Sequence, residues 1–189
     1  MRRSAGLCLP AAFLGCLTLS ACAGEPPPAH AEVVEVAQSG VGPRQLGVIV
    51  NDADPDSVAL AKYYVARRGI PAGNVIHVRF EPGQSNLTRG RFEPLKKQVE
   101  AATPAGVEAY ALTWAAPYRV DCMAITSAFA FGFAPRFCAS GCQPTQPLAY
   151  FDSGVLRPHA EMGFRPTMSL AAPSLAEAKK LVDRGVAAD

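Results

Sequence analysis

The sequence predicts an α/β domain built as a three-layer, open and mainly parallel sheet with flanking helices. Three observations predict it. Short apolar runs bounded by turn residues alternate with segments of helical periodicity, the pattern of strands joined by crossover helices. The first run, Leu46-Gly47-Val48-Ile49-Val50-Asn51, has no polar residue before its end, as a strand covered on both faces requires. Helix-starting and helix-stopping residues also stand at the ends of the periodic segments: Asp54-Pro55 and Ser174 with Glu177 at starts, Gly69 at a stop.

After the first strand, Asp54 supplies an N-cap, Pro55 suits the first helical position, and Asp56 complements the helix dipole. The helix is expected to reach Arg68, with Val58, Ala61 and Val65 on its inner face, and Gly69 closing it in the left-handed conformation. Ile70 to Asn74 reads as a turn and Val75 to Phe80 as a second strand, completing a βαβ unit. Glu81 to Asn86 reads as a loop. Thr88 to Ala102 reads as a helix facing inward through Phe92, Leu95 and Val99, with Pro94 moving its expected start to about Glu93.

Val107 to Trp114 is expected as a third strand, Met123 to Phe131 as a helix, and Pro166 to Ala171 as a fourth strand. Between the last two lies a long insertion from Arg136 to Gly163, a length that in a small domain marks a functional or disulfide-braced loop. Ser174 and Glu177 form a capping box for a last helix running to about Arg184. The residues from Gly185 to Asp189 read as a loop leading toward a further strand, so the sheet is expected to be incomplete at the C-terminus.

Ahead of the domain, Arg2 and Arg3 followed by the apolar stretch Leu7 to Leu19 form a secretory signal, and Leu19-Ser20-Ala21-Cys22 is the pattern at which bacteria lipidate a cysteine. The apolar stretch is roughly 13 residues and contains Pro10, short of the roughly 20 needed to span a bilayer. Residues 1–21 are thus expected to be removed, Cys22 to carry lipid, and residues 22–45, with Pro26-Pro27-Pro28, to form a tether to the domain at residues 46–189. The expected address is the envelope, on the outer membrane facing the periplasm or at the cell surface, since Ala23 stands where an Asp would favour inner-membrane retention. The one partner implied is the membrane, through the anchor.

Lys and Arg number 18 against 16 Asp and Glu, and loss of Arg2 and Arg3 leaves the mature chain formally neutral. No basic stripe or aromatic platform stands out, which argues against nucleic acid as a partner. Of six cysteines, Cys122, Cys138 and Cys142 remain in the domain. In an oxidising compartment two of them are expected to pair. Cys138 with Cys142 is favoured by the short intervening loop; Cys122 with either partner closes a loop of about 15 to 20 residues, worth roughly 3 kcal/mol, and spacing alone leaves these alternatives open.

In an open parallel sheet, ligands bind outside the carboxyl ends of the strands. That rule selects Asn51 and Asp52 after the first strand, and Trp114, Tyr118 and Arg119 after the third, where an aromatic pair beside a guanidinium suits a sugar or an anionic group. Asp52, Asp54 and Asp56 alternate like cation ligands, but Tyr63 stands where a calcium loop needs a Glu, so capping and dipole roles explain them. Cys122, Cys138, Cys142 and His159 could be counted as a tetrahedral zinc set; their spacing and export favour a disulfide, and no metal is expected. Asp121 and Asp152 are candidates for a carboxylate pair. Neither a Gly-x-Ser-x-Gly elbow nor a phosphate-binding Gly loop is present, and no cofactor is expected.

Through Val48-Ile49-Val50-Asn51, Asp54-Pro55-Asp56-Ser57, Tyr63-Tyr64, Arg68-Gly69-Ile70-Pro71 with Asn74, Leu112-Thr113-Trp114, Pro117-Tyr118-Arg119, Arg165-Pro166-Thr167 and Asp183-Arg184-Gly185, the chain resembles a family of exported bacterial proteins. The resemblance covers most of residues 46–189 and implies the fold and export; it brings no activity, cofactor or catalytic residue. The opening βαβ pattern also resembles caspase and gingipain cysteine peptidases, which carry a His after the third strand and a Cys after the next. Here Ala115-Ala116-Pro117 follows Trp114, with no His, and Cys122 has no sequence-adjacent base. The expected role is therefore a binding or organising module of the envelope, with a secreted hydrolase as the alternative.

Overall fold

The computed structural model describes residues 40–138 and 147–188. In chain order the elements are β1 (Leu46–Asn51), α1 (Pro55–Arg68), β2 (Val75–Val78), β3 (Asn86–Leu87), α2 (Arg89–Ala102), β4 (Ala109–Leu112), β5 (Arg119–Val120), β6 (Met123–Ala124), α3 (Ile125–Phe131), α4 (Pro158–Met162), β7 (Thr167–Ser169) and α5 (Leu175–Ala187). Four strands make an all-parallel sheet in the order β2-β1-β4-β7. The expected α/β architecture is present: α1 and α5 cover one face, α2 and α3 the other.

Strand β1 sits at the centre of this order, and all six of its residues are buried. Its Val48 and Val50 face Leu60, Ala61 and Tyr64 of α1, while Ile49 faces Phe92, Leu95 and Val99 of α2. Strand β4 repeats the alternation, turning Ala109 and Ala111 toward α1 and α5, and Tyr110 and Leu112 toward α2. Gly47 belongs to the same scheme: a Cβ there would stand 3.0 Å from both Tyr110 Cδ1 and Val107 Cγ1.

Several local expectations are corrected by tertiary contacts. The buried face of α1 is Ser57, Leu60, Ala61 and Tyr64, and Val58 is 44% exposed. The helix is rotated because Ser57 Oγ accepts a hydrogen bond from the β1 amide of Asn51 at 3.0 Å. Helix α2 starts at Arg89, well before the position Pro94 suggested. Its first turn is held by Thr88, whose carbonyl accepts from Arg91 and Phe92, by Asp121 Oδ2, which accepts from the Arg89 amide, and by the fully buried Phe92 ring. Helix α5 passes through Gly185 and continues to Ala187, so this glycine does not stop it.

The expected caps at Asp54, Gly69 and Ser174 are present: Asp54 Oδ1 accepts from the Asp56 amide, Gly69 has φ 62°, and Ser174 Oγ accepts from the Glu177 amide. The tether boundary at Gln45 falls inside the fold, because the carbonyls of Arg44 and Leu46 both accept from Asn74 Nδ2 and the Gln45 carbonyl accepts from the Glu108 amide. A second small sheet, β3-β5-β6, was not expected; its strands of two residues each are too short to leave a periodicity.

Within the insertion, α4 is anchored by Glu108, which is 2% exposed. Its Oε2 accepts from the amides of His159 and Ala160, and Arg157 Nε stands 3.4 Å from Oε1. The disulfide joins Cys122 to Cys138, with Cα atoms 5.0 Å apart, and so corrects the favoured Cys138–Cys142 pairing. The tight turn of Cys122 after β5 and the turn Pro135–Phe137 bring these two side chains together around α3, a proximity between segments that local loop length does not report. Cys142 lies outside the described residues.

Two measurements check this description. Peptide mapping under non-reducing conditions is expected to find the Cys122 peptide joined to the Cys138 peptide; a dominant Cys138–Cys142 link would contradict the pairing. Gly47→Val is expected to cost about 1–3 kcal/mol in denaturant unfolding, because the added atoms meet Tyr110 and Val107 in a closed core.

Candidate functional site

The path of the chain opens a crevice. From β1 it steps through α1 to β2 on one side, then returns through α2 to β4 on the other. The connections therefore leave β1 and β4 in opposite directions, the condition under which the carboxyl edge of an open α/β sheet forms a binding cleft. Asn51 ends β1 there and Thr113-Trp114 follow β4.

Asn51 is fully buried and its side-chain amide is engaged at both its oxygen and its nitrogen. Oδ1 accepts from the amides of Ala53 at 3.2 Å and Phe80 at 3.1 Å, and Nδ2 donates to the Phe80 carbonyl at 3.0 Å. This side chain fastens the end of β1 to the segment leaving β2. A hydroxyl relay fastens β1 to α1 and β4. Thr113 Oγ1 donates to the Ile49 carbonyl at 3.1 Å, so it must accept from Ser57, 2.8 Å away, which in turn accepts from the Asn51 amide. Every proton in the relay is committed, and neither hydroxyl is left as a nucleophile.

Trp114 is also buried, its Nε1 donating to the Pro117 carbonyl at 3.2 Å and its ring standing edge-on to Phe80 with centroids 5.1 Å apart. The Ala116–Pro117 peptide bond is cis. Beyond it, Tyr118 is 58% exposed and Arg119 is exposed on β5, in register with Asn86 of β3. Asp52 is exposed and its Oδ1 lies 2.8 Å from His77 Nδ1 on the neighbouring β2.

The five candidate residues thus divide. Asn51 and Trp114 are interior struts, Asp52 pairs with a histidine, and Tyr118 and Arg119 lie open on the small sheet. His77 lies in a strand, where sequence gives it no partner; only the pairing across the sheet gives it a carboxylate. Of the other acidic residues, Asp54 is occupied as the α1 cap and Asp121 as an acceptor for α2, while Asp152 lies in the insertion with φ 58°. The disulfide takes both Cys122 and Cys138 out of any zinc set with His159. Burial, then the Arg165 charge, lowers the His159 pKa below its usual value.

Two crevices open at the carboxyl edge. One, about 290 Å³, lies between the starts of α1 and α5 and is lined by Asp54, Thr113, Trp114 and Ser174. The other, about 320 Å³, lies on the α2 side and includes Arg79, Phe80, Arg91 and Pro117. A larger, mostly apolar cavity of about 530 Å³ lies at the opposite edge, where Leu46, Ala109 and Thr167 begin their strands and Val41, Leu156 and Met168 are exposed. Among the described residues, no helix is long and apolar enough to cross a membrane and no group of three or more His, Cys, Asp or Glu is placed to hold a metal.

The fold and this edge define a doubly wound parallel α/β protein with its strand ends braced by a buried polar network. No family model, curated protein or solved structure matches the chain.

Thr113→Val keeps the side-chain shape and removes the middle of the relay, leaving the Ser57 hydroxyl without its acceptor. The expected loss is about 1–3 kcal/mol in denaturant unfolding, with an unchanged m-value.

Proposed function

We propose that the chain is an envelope lipoprotein, held by lipid on Cys22, whose α/β domain serves as a binding or organising module in the periplasm or at the cell surface. The observation that carries this reading is Leu19-Ser20-Ala21-Cys22, placed after a basic start and an apolar stretch too short to span a bilayer. The near balance of charge suits a protein whose membrane partner is reached through an anchor rather than through a basic surface. A disulfide between Cys122 and Cys138 suits an oxidising compartment.

The character of the carboxyl edge favours binding over hydrolysis. Its buried hydroxyls are committed to structural hydrogen bonds, and Cys122, the one cysteine near the position a caspase-like or gingipain-like peptidase would use, is engaged in the disulfide. One observation favours the hydrolase alternative: His77 and Asp52 form a hydrogen-bonded imidazole–carboxylate pair at the sheet edge, the arrangement that orients a general base. No described contact supplies that pair with a nucleophile.

Cys22→Ala is expected to abolish palmitate labelling and lipoprotein-type processing, and intact-mass analysis of the wild type is expected to show residues 1–21 absent and an acyl adduct on Cys22. Labelling that persists in the variant overturns the assignment.

A further inference from the structure

We propose that the crevice beside α2 binds a small organic anion that also carries a hydrogen-bond donor, with Arg79 and Arg91 holding its carboxylate or phosphate group. The inference rests on the reading of the domain as a binding module and gives that module a ligand class. The crevice, about 320 Å³, falls at the lower end of the range of small-molecule sites, about 300–1,000 Å³.

Charge is the first argument. Arg79 follows β2 and Arg91 lies in the first turn of α2, and both line the crevice. Several other guanidinium groups of the domain have protein partners: Arg67 pairs with Asp183, Arg89 with Glu93, Arg157 with Glu108, and Arg165 lies over the Tyr110 ring. The side chains of Arg79 and Arg91 have no ion pair, hydrogen bond or ring contact among the described residues. Glu81 is the single carboxylate in the lining, so cations outnumber it. Arg119 adds a further positive charge at the rim, since it is the parallel register partner of Asn86, itself part of the lining. Two planar guanidinium forks around one cavity suit a carboxylate or a phosphate better than a spherical ion.

The walls supply the second argument. Phe80 and Pro117 give the crevice an apolar side, and both are fixed from behind by residues already described. The Asn51 amide bonds the Phe80 backbone on both its N–H and its carbonyl, and Trp114 packs on the Phe80 ring while its indole N–H bonds the Pro117 carbonyl. Asn51 and Trp114 are positioning residues for this wall. The third argument is Asn86 Oδ1, a buried acceptor with no partner among the described residues. Leaving such an atom unpaired is costly, and a ligand O–H or N–H would satisfy it once the amide turns toward the crevice that Asn86 lines. An anionic end, an apolar body and a donor together describe a hydroxy acid or a comparable phosphate ester.

The test is calorimetric titration of the full-length protein in detergent with four probes: mandelate, phenyl phosphate, phenylacetate, which lacks the hydroxyl, and phenylethanediol, which lacks the charge. Mandelate is expected to bind, more tightly than phenylacetate, and the diol not at all. Arg79→Gln with Arg91→Gln is expected to weaken mandelate by at least about tenfold, as is raising salt from about 0.15 to about 0.5 M, whereas Arg184→Gln on exposed α5 leaves it unchanged. Asn86→Ala is expected to reduce mandelate to the affinity of phenylacetate. The thermal midpoint of each variant serves as the folding control. Failure of both mandelate and phenyl phosphate to bind at millimolar concentration, binding that survives the double arginine change, or equal binding of the diol overturns the proposal. A null titration with Cys22 acylated removes the anion site alone, while absence of acylation with mandelate bound removes the anchor and leaves the site standing.

Discussion

Complete burial of β1 is the constraint on which the rest of this structure depends. A strand with no exposed residue must have a strand on each edge and helices on each face. Parallel neighbours cannot be reached by a hairpin, so the chain has to cross over through α1 to one side and through α2 to the other. The reversal that opens the carboxyl edge is thus a consequence of burying Leu46 to Asn51. The polarity of that edge follows too, because β1 ends on a buried Asn51 whose amide needs partners in the dry interior.

The same strand couples stability to the shape of the edge. Asn51 reaches across to Phe80, and the relay through Ser57 and Thr113 ties α1 and β4 to the carbonyl and amide ends of β1. Each of these groups would be penalised if left unpaired, so the loops they hold are fixed in place rather than free to adapt. Behind them, the interlocking rings of Phe80, Trp114, Phe129 and Phe92 give the α2 side a stiff aromatic backing. Rigid walls with exposed charge in front lower the ordering cost of binding, which is how a small cleft gains affinity.

The elements legible in advance were those whose signals are local. The continuous apolar run of β1, the Asp54-Pro55 start and Gly69 stop of α1, and the Ser174–Glu177 box of α5 each act within a few residues, and each is found where the residues place it. The readings that failed were those in which a distant partner outweighed a local preference. Pro94 did not set the start of α2, because Phe92 is buried against Phe129 and Asp121 caps the Arg89 amide. Val58 did not face inward, because Ser57 bonds to β1.

For the site, the rule of strand carboxyl ends selects an edge of the sheet but not the duties of its residues. Asn51 and Trp114 carry polar atoms that sequence presents as available, and the folded chain consumes them internally. Arg79, Arg91 and His77 fall in a strand exit, a helix start and a strand interior, positions where charge is ordinary in one dimension. What the sequence by itself determined was the order of the main-sheet strands and their crossover helices, together with their caps, because periodicity and capping are read over short stretches. The tertiary structure alone decided which cysteines meet, which face of α1 is buried and which guanidinium groups are left without partners among the described residues. Those depend on distances between segments far apart in the chain, which exist only once β1 has drawn them around itself.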